Sequence, residues 1–192
     1  KSFMIHVSGS TSISPTPNLK VLTGSVSSAI KLGADGISCH VNIGCDFDSQ
    51  MLSDLNFIVE EAEDVGLPVL AMMYARDNDG HDSIDVDSLS HVARIAEEMG
   101  ADIVKIQSTE NALHFDEVTQ GISIPIIVAG GSIASDFDLF LESIKKCIIA
   151  GASGVSIGRN VFQSDDPQLA MKKVFEAVLS VKNEVEHVQA IH

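Results

Sequence analysis

The sequence predicts an α/β fold of the (β/α)8 barrel type, built on a parallel sheet. Three observations carry that expectation. Short apolar runs alternate with longer stretches whose apolar residues recur at the helical period. Four junctions, Gly33–Gly36, Gly66–Pro68, Gly100–Asp102 and Gly151–Gly154, end a helix with glycine and enter a strand within a few residues. The last two apolar runs finish on small residues, Gly130-Gly131 and Gly158, which let a backbone approach a ligand.

The elements follow in order. Phe3–Val7 reads as the first strand and Val26–Leu32 as the first helix. Then come strand Gly36–Val41, helix Gln50–Val65, strand Pro68–Met73 and helix Val86–Met99. Strand Asp102–Ile106, helix His114–Gln120, strand Pro125–Ala129, helix Leu139–Ala150 and strand Gly154–Ile157 continue the pattern. Each strand is short and nearly continuous in apolar character, as parallel strands covered on both faces are. The last helix starts at Pro167, with Asp165-Asp166 as an acidic cap and proline in the first turn, and runs to Val181 or beyond. No linker or low-complexity segment interrupts residues 1–192, so one domain is expected.

Six strands are two short of a full barrel, and 192 residues fall below the roughly 250 such barrels occupy. The chain opens at Lys1 without a methionine and enters a buried strand at once. We therefore expect the first two βα units to lie upstream of this sequence.

Composition narrows the function classes. The formal net charge is −15, which disfavours a nucleic-acid partner but leaves room for a small phosphorylated ligand in a local pocket. No apolar run approaches the roughly 20 residues of a membrane span, and no signal peptide is visible. Cys39, Cys45 and Cys147 lack metal-ligand spacing and read as reduced thiols of a cytoplasmic protein, with Cys39 and Cys147 as core fillers.

In a barrel the C-terminal strand ends share one mouth, where functional groups of this fold gather. The candidates there are His6, Ser8, His40, Asn42, Tyr74, Arg76, Lys105, Gln107, Gly130, Gly131, Gly158 and Arg159. His6 and His40 read equally well as satisfied core histidines. Arg76 reads equally well as a partner of Asp77 or Asp79 in a solvated loop. Lys105 stands out because a charged amine on a buried strand is expensive unless it pairs or loses its proton. Partial burial and a nearby Arg159 are expected to depress its pKa and free the amine to attack a carbonyl carbon. Tyr74, the only tyrosine, ends the preceding strand and is placed to shuttle a proton. The glycine loops and Arg159 follow on the next two strands, suited to clamp a phosphate. No dinucleotide fingerprint or P-loop is present, so no cofactor is expected. Asp77-Asn78-Asp79 and His81-Asp82 read as solvated loop residues, and no metal site is expected.

Six segments resemble the archaeal-type class I aldolases, in the same order and over nearly the whole chain. They are His6–Pro15, Val41–Gly44, Ala71–Tyr74, Gly100–Lys105, Val128–Gly131 and Gly154–Gln163. Within that group the Ser-Gly-Ser-Thr-Ser-Ile-Ser-Pro stretch is most similar to the 2-amino-3,7-dideoxy-D-threo-hept-6-ulosonate synthase branch. The resemblance implies Lys105 as Schiff-base lysine and Tyr74 as proton donor. It implies Ala75 and Arg76, after Tyr74, as a loop touching the sugar phosphate, and Gly130, Gly131, Gly158 and Arg159 as phosphate-binding positions. The implied reaction is a transaldolase step: a phosphorylated ketose forms the imine, and the retained fragment is passed to L-aspartate 4-semialdehyde. The implied partners are these small molecules and further copies of the chain. Four positions depart from the family pattern. The general-base aspartate of the first family strand has no counterpart in these residues. Tyr-Pro-Arg-Gly reads Tyr74-Ala75-Arg76-Asp77, Gly-Gly-Pro-Lys reads Gly130-Gly131-Ser132-Ile133, and the glycine after the lysine strand is Glu110. These departures leave other readings open: a fructose-bisphosphate aldolase, an enzyme condensing dihydroxyacetone phosphate with aspartate semialdehyde, or a non-catalytic sugar-phosphate binder.

Overall fold

A computed structural model describes residues 2–77, 79–109 and 112–189 of the chain. The first half holds β1 (Met4–His6), β2 (Ser8–Gly9), β3 (Val21–Leu22), α1 (Val26–Lys31), β4 (Gly36–Ile43), α2 (Asp48–Glu63), β5 (Val69–Ala75) and α3 (Val86–Glu98). The second half holds β6 (Ile103–Ile106), α4 (Phe115–Gln120), β7 (Ile126–Ala129), α5 (Phe137–Ile149), β8 (Gly154–Ser156), α6 (Arg159–Phe162) and α7 (Pro167–Gln189).

Six strands form one sheet in the order β1-β4-β5-β6-β7-β8, and every neighbouring pair is parallel. The order never reverses. Right-handed crossovers then place every intervening helix on the same side of the sheet, which is barrel winding. An open doubly wound sheet would need a point where the order turns back. The expectation of a barrel-type sheet is therefore met, and its six strands match the six read from the sequence to within about two residues at each end.

Alternation sorts each strand into two faces. Ile37, Cys39 and Val41 of β4, Val69, Ala71, Met73 and Ala75 of β5, Val104 and Ile106 of β6, and Ile126 and Val128 of β7 point to the helices and are buried. The helices answer with apolar stripes: Met51, Leu55, Ile58 and Ala62 on α2, and Leu89, Val92, Ala93 and Ala96 on α3. Burying one Leu or Ile in this layer stabilises the fold by roughly 1.5–3 kcal/mol. The opposite face carries His6, His40, Asn42, Tyr74 and Lys105, so the barrel interior is polar toward the strand ends rather than apolar throughout.

The helix starts explain themselves. Asp85 caps α3 by accepting from Ser88 N (2.9 Å), and Asp136 caps α5 by accepting from Asp138 N and Leu139 N. Asp166 accepts from Gln168 N (3.1 Å) and Leu169 N (3.0 Å), as its place before Pro167 implies. Gly33, Gly66, Gly100 and Gly151 all take positive φ just past helix ends.

Two features were not foreseen. β2 and β3 form a small antiparallel pair inside the loop between β1 and α1, with Ser8 opposite Leu22 and Gly9 opposite Val21. The stretch from Arg159 to Phe162, to which the sequence reading assigned no element, is a single helical turn. Cys39 and Cys147 are buried and all three thiols are free, as expected. Among the described residues no helix is long and apolar enough to cross a membrane. Glu110 lies outside the described residues.

Candidate active site

Strand register places the two key side chains. Met72 pairs with His40 across β4–β5 and with Lys105 across β5–β6. Tyr74 is two residues beyond Met72, so it shares the inner face with Lys105, one pleat nearer the mouth. Both line one cavity of about 290 Å³, together with Asp82, Gln107, Gly130, Gly131, Ser132, Ser156, Gly158 and Arg159. Seven of the residues singled out from the sequence thus meet: Lys105, Tyr74, Gln107, Gly130, Gly131, Gly158 and Arg159.

Burial lowers the Lys105 pKa from its ordinary value, and desolvation is the cause. The expected contribution of Arg159 to this shift is not found: Arg159 is solvent-exposed, and desolvation is the sole cause of the shift. Among the described residues no carboxylate lies within ion-pair distance of Lys105 Nζ. Burial raises the Tyr74 pKa, the Asp82 charge adds to the rise, and Arg76 and Arg159 oppose it. The phenol is therefore protonated at neutral pH.

The glycine loop after β7 is shaped rather than simply open. Gly130 donates its N–H to Ser156 O (3.1 Å), so that amide is already used. A Cβ at Gly130 would approach Ile157 at 3.0 Å, so glycine there supplies clearance. Gly131 turns the chain with φ of +66°. Buried Asn160 holds this loop to α6: its Nδ2 donates to Gly130 O (2.8 Å) and Ser132 O (2.9 Å), and its Oδ1 accepts from Ala134 N (2.7 Å). Asn160 went unnoticed as a functional position because its neighbours Gly158 and Arg159 drew the phosphate reading.

The other candidates sit elsewhere. Arg76 does not line the cavity. Its guanidinium is held by Asn42 Oδ1, from Nε (2.8 Å) and Nη2 (2.7 Å), and by Asp82 through Nη1. Its ion pair is with Asp82, not with Asp77 or Asp79. The Ala75 side chain lies in the helix-side core, opposite Tyr74. His6 is exposed, with Nδ1 on Ser38 Oγ (3.0 Å) and Nε2 on Ser8 Oγ (3.3 Å). Burial and then the Lys105 charge lower its pKa. His40 stacks on Tyr74 with ring centroids 4.6 Å apart, and burial lowers its pKa to about 4, so the ring is neutral.

Asp82 is exposed, as its reading as a solvated loop residue implies, but the loop after β5 folds back on itself and gives Asp82 partners the sequence did not signal. Asp77 N donates to His81 O (2.9 Å), Ser83 N donates to Ala75 O (3.0 Å), and Arg76 and Asp82 form an antiparallel bridge. That fold-back returns Asp82 to the cavity, where its Oδ2 accepts from Gln107 Nε2 (2.8 Å). The same loop brings ligand atoms of Asp77, Asp79 and His81 within 4.8 Å of one another, a cluster that residue spacing did not show. All three are exposed, and Asp77 already accepts the backbone N–H groups of Asp79 and His81.

The model of the DeoC/LacD family aldolases matches residues 1–164. The 2-amino-3,7-dideoxy-D-threo-hept-6-ulosonate synthase 1 of Archaeoglobus fulgidus is 43% identical over 166 residues, covering 86% of this chain and 61% of that protein. The corresponding synthase of Halobacterium salinarum is 38% identical over 177 residues, covering 92% of this chain and 66% of that protein. The chain thus spans just under two thirds of the length of these relatives. Among solved structures, an archaeal fructose-1,6-bisphosphate aldolase with its catalytic Lys covalently bound to the carbinolamine intermediate superposes with a TM-score of 0.87. It is 26% identical, over 92% of this chain and 71% of that one.

Proposed function

The chain belongs to the DeoC/LacD aldolase family, and on that premise we propose that it performs class I aldol chemistry through Lys105 on a phosphorylated ketose. The carrying observation is a desolvated lysine, unpaired by any described carboxylate, that lines one cavity with a protonated tyrosine, Gly131, Gly158 and Arg159.

Lys105 and Tyr74 carry the imine steps. The neutral Lys105 amine adds to the ketone carbon and gives a carbinolamine, which loses water to form an iminium. The carbon–carbon bond breaks as the β-hydroxyl proton passes to a base. The departing fragment leaves as a carbonyl compound, and the bond's electron pair moves to the iminium, which becomes an enamine. The family's first-strand aspartate, which has no counterpart in these residues, is the group suited to take that proton. The enamine carbon then attacks an aldehyde, and water releases the product and restores the amine. Tyr74 supplies and retrieves the proton at the carbinolamine oxygen. Arg159 and the loops at Gly131 and Gly158 hold the phosphate, which sets the carbonyl over Lys105. Gly130 gives room rather than a donor.

For the acceptor we favour L-aspartate 4-semialdehyde, giving a 2-amino-3,7-dideoxyheptulosonate. The support is the higher identity to the heptulosonate synthases, 43% and 38%, than to the fructose-bisphosphate aldolase, 26%. The structural likeness to the latter makes cleavage of a ketose bisphosphate the second reading. Three free thiols suit a reducing compartment, and we assign the chain to the cytoplasm.

The test is borohydride reduction in the presence of a panel of ketose phosphates, with mass mapping of the modified residue. We expect label on Lys105 and none in Lys105→Arg, because arginine keeps the charge but does not become a nucleophile. Label on another lysine, or equal label in the variant, overturns the proposal. Product formation with aspartate semialdehyde rather than glyceraldehyde 3-phosphate separates the two readings.

A further inference from the structure

Asn42 is fully buried near the end of β4, opposite Tyr74 in the register of β4 and β5. A buried amide must find partners, and this one is unusually well supplied. Its Oδ1 accepts from Arg76 Nε (2.8 Å), Arg76 Nη2 (2.7 Å) and His40 Nε2 (3.1 Å), while its Nδ2 donates to Asn18 O (2.7 Å). The arrangement fixes the amide orientation, since a flip would set an NH2 group against three donors. It also fixes His40 as the tautomer carrying its proton on Nε2.

The two groups gathered by that oxygen both lie against one ring. His40 stacks on Tyr74 at 4.6 Å with planes 17° apart, and the Arg76 guanidinium carbon is 5.6 Å from the ring centroid. Arg76 is further anchored by Asp82, and its side chain is only 14% exposed. Neither His40 nor Arg76 lines the cavity; His40 reaches it through Tyr74, and Arg76 through Tyr74 and Asp82. We propose that Asn42 is a positioning residue for Tyr74: one buried amide oxygen holds the imidazole and the guanidinium that clamp the phenol ring and aim its hydroxyl at Lys105. The proposal rests on the role given to Tyr74 above. It assigns a reason for Asn at this position that packing alone does not supply, because leucine would fill a similar volume.

The chain has one tyrosine and no tryptophan, so its intrinsic ultraviolet fluorescence reports Tyr74 alone. The experiment compares acrylamide quenching of that fluorescence in wild type, Asn42→Leu, Asn42→Ala and Asn42→Asp. Borohydride trapping and kcat with a ketose phosphate are measured on the same proteins. Leucine and alanine remove the shared acceptor, and aspartate keeps it. The quenching constant should rise about twofold or more in the first two variants and stay near wild type in the third. Because misplacing a reacting group by an ångström costs on the order of 100-fold, kcat should fall 10- to 100-fold in the same two variants. Trapping of Lys105 should persist, and Asn42→Asp should rescue kcat.

Unchanged quenching in both Asn42→Leu and Asn42→Ala overturns the clamp, as does an Asn42→Asp variant as defective as the alanine one. If the Asn42 variants do not fold, His40→Ala and Arg76→Met each remove one contact, and unchanged quenching in both overturns it equally. Failure to trap wild-type Lys105 counts against the aldolase reading alone, because the quenching comparison still decides whether Asn42 holds the ring.

Discussion

Lys105 is the residue at which burial bears most directly on the proposed chemistry. A strand of alternating faces puts its side chain inside, desolvation lowers its pKa, and no described carboxylate holds the proton on. Imine formation should therefore show a pH inflection below the ordinary lysine value of about 10.4. The same shift predicts a stability effect. Between the lowered folded pKa and the unfolded one, the unfolded chain binds more protons, so stability rises with pH across that window. Replacing Lys105 with Met keeps the stem and removes the desolvated charge. It should raise Tm at pH 7 and abolish trapping; a lower Tm with trapping intact would contradict both points. Lys105 and Tyr74 were legible because a lone lysine and the only tyrosine end consecutive apolar runs. The cavity position of Asp82 was not, and of Asn42 only the place at a strand end was. Nothing in His81-Asp82 signals a loop that folds back through a bridge to Arg76. Nothing in Val41-Asn42-Ile43 says that one amide gathers groups from two strands.

Among the elements, α3 starts on a single side-chain cap. Asp85 accepts from Ser88 N at 2.9 Å and from Ser83 Oγ at 2.8 Å, which fixes both the helix start and the end of the loop carrying Asp82. These hydrogen bonds, with the Ser88 backbone N–H contributing most, lower its carboxyl pKa to about 2. Asp85→Ala should cost about 1 kcal/mol, the usual range for a lost cap, or roughly 2–4 °C in Tm for a chain of this size. The sign with pH is fixed by the depressed folded pKa. The contribution is complete above the unfolded value near 4 and disappears as pH falls toward 2. Thermal melts at pH 7 and pH 2 should therefore show wild type and variant converging in acid, and a constant gap would remove the cap from the account. At this scale the helices were legible because capping and glycine termination are local. The hairpin of β2 and β3 was not, since two residues per strand leave no alternation to detect. The turn α6 was hidden for a related reason: four residues are too few to show a helical period.

Across the whole molecule, the uninterrupted sheet order gives the site its geometry. Consecutive βα units set consecutive strand ends around one mouth, so residues from Tyr74 to Arg159 converge although far apart in sequence. That convergence was readable once the barrel was assumed, because fold class follows from repeated local signals and the position of each strand end follows from fold class. Charge is the property that belongs to no single element. A formal net charge of −15 repels a dianionic sugar phosphate at long range, and salt screens that repulsion beyond about 10 Å. Binding must then come from short-range contacts in the one cavity where Lys105 and Arg159 both stand. On the proposed chemistry Lys105 is committed to the carbonyl, which leaves Arg159 as the guanidinium for the phosphate. Arg159→Ala should weaken binding of a ketose phosphate about tenfold, an exposed arginine contributing less than a buried one. Because the acceptor aldehyde carries no phosphate, its binding should change far less. Titration calorimetry with the phosphorylated ketose, its dephosphorylated form and the aldehyde separates these cases. Equal loss for phosphorylated and dephosphorylated ketose would mean that Arg159 shapes the mouth rather than holding the anion.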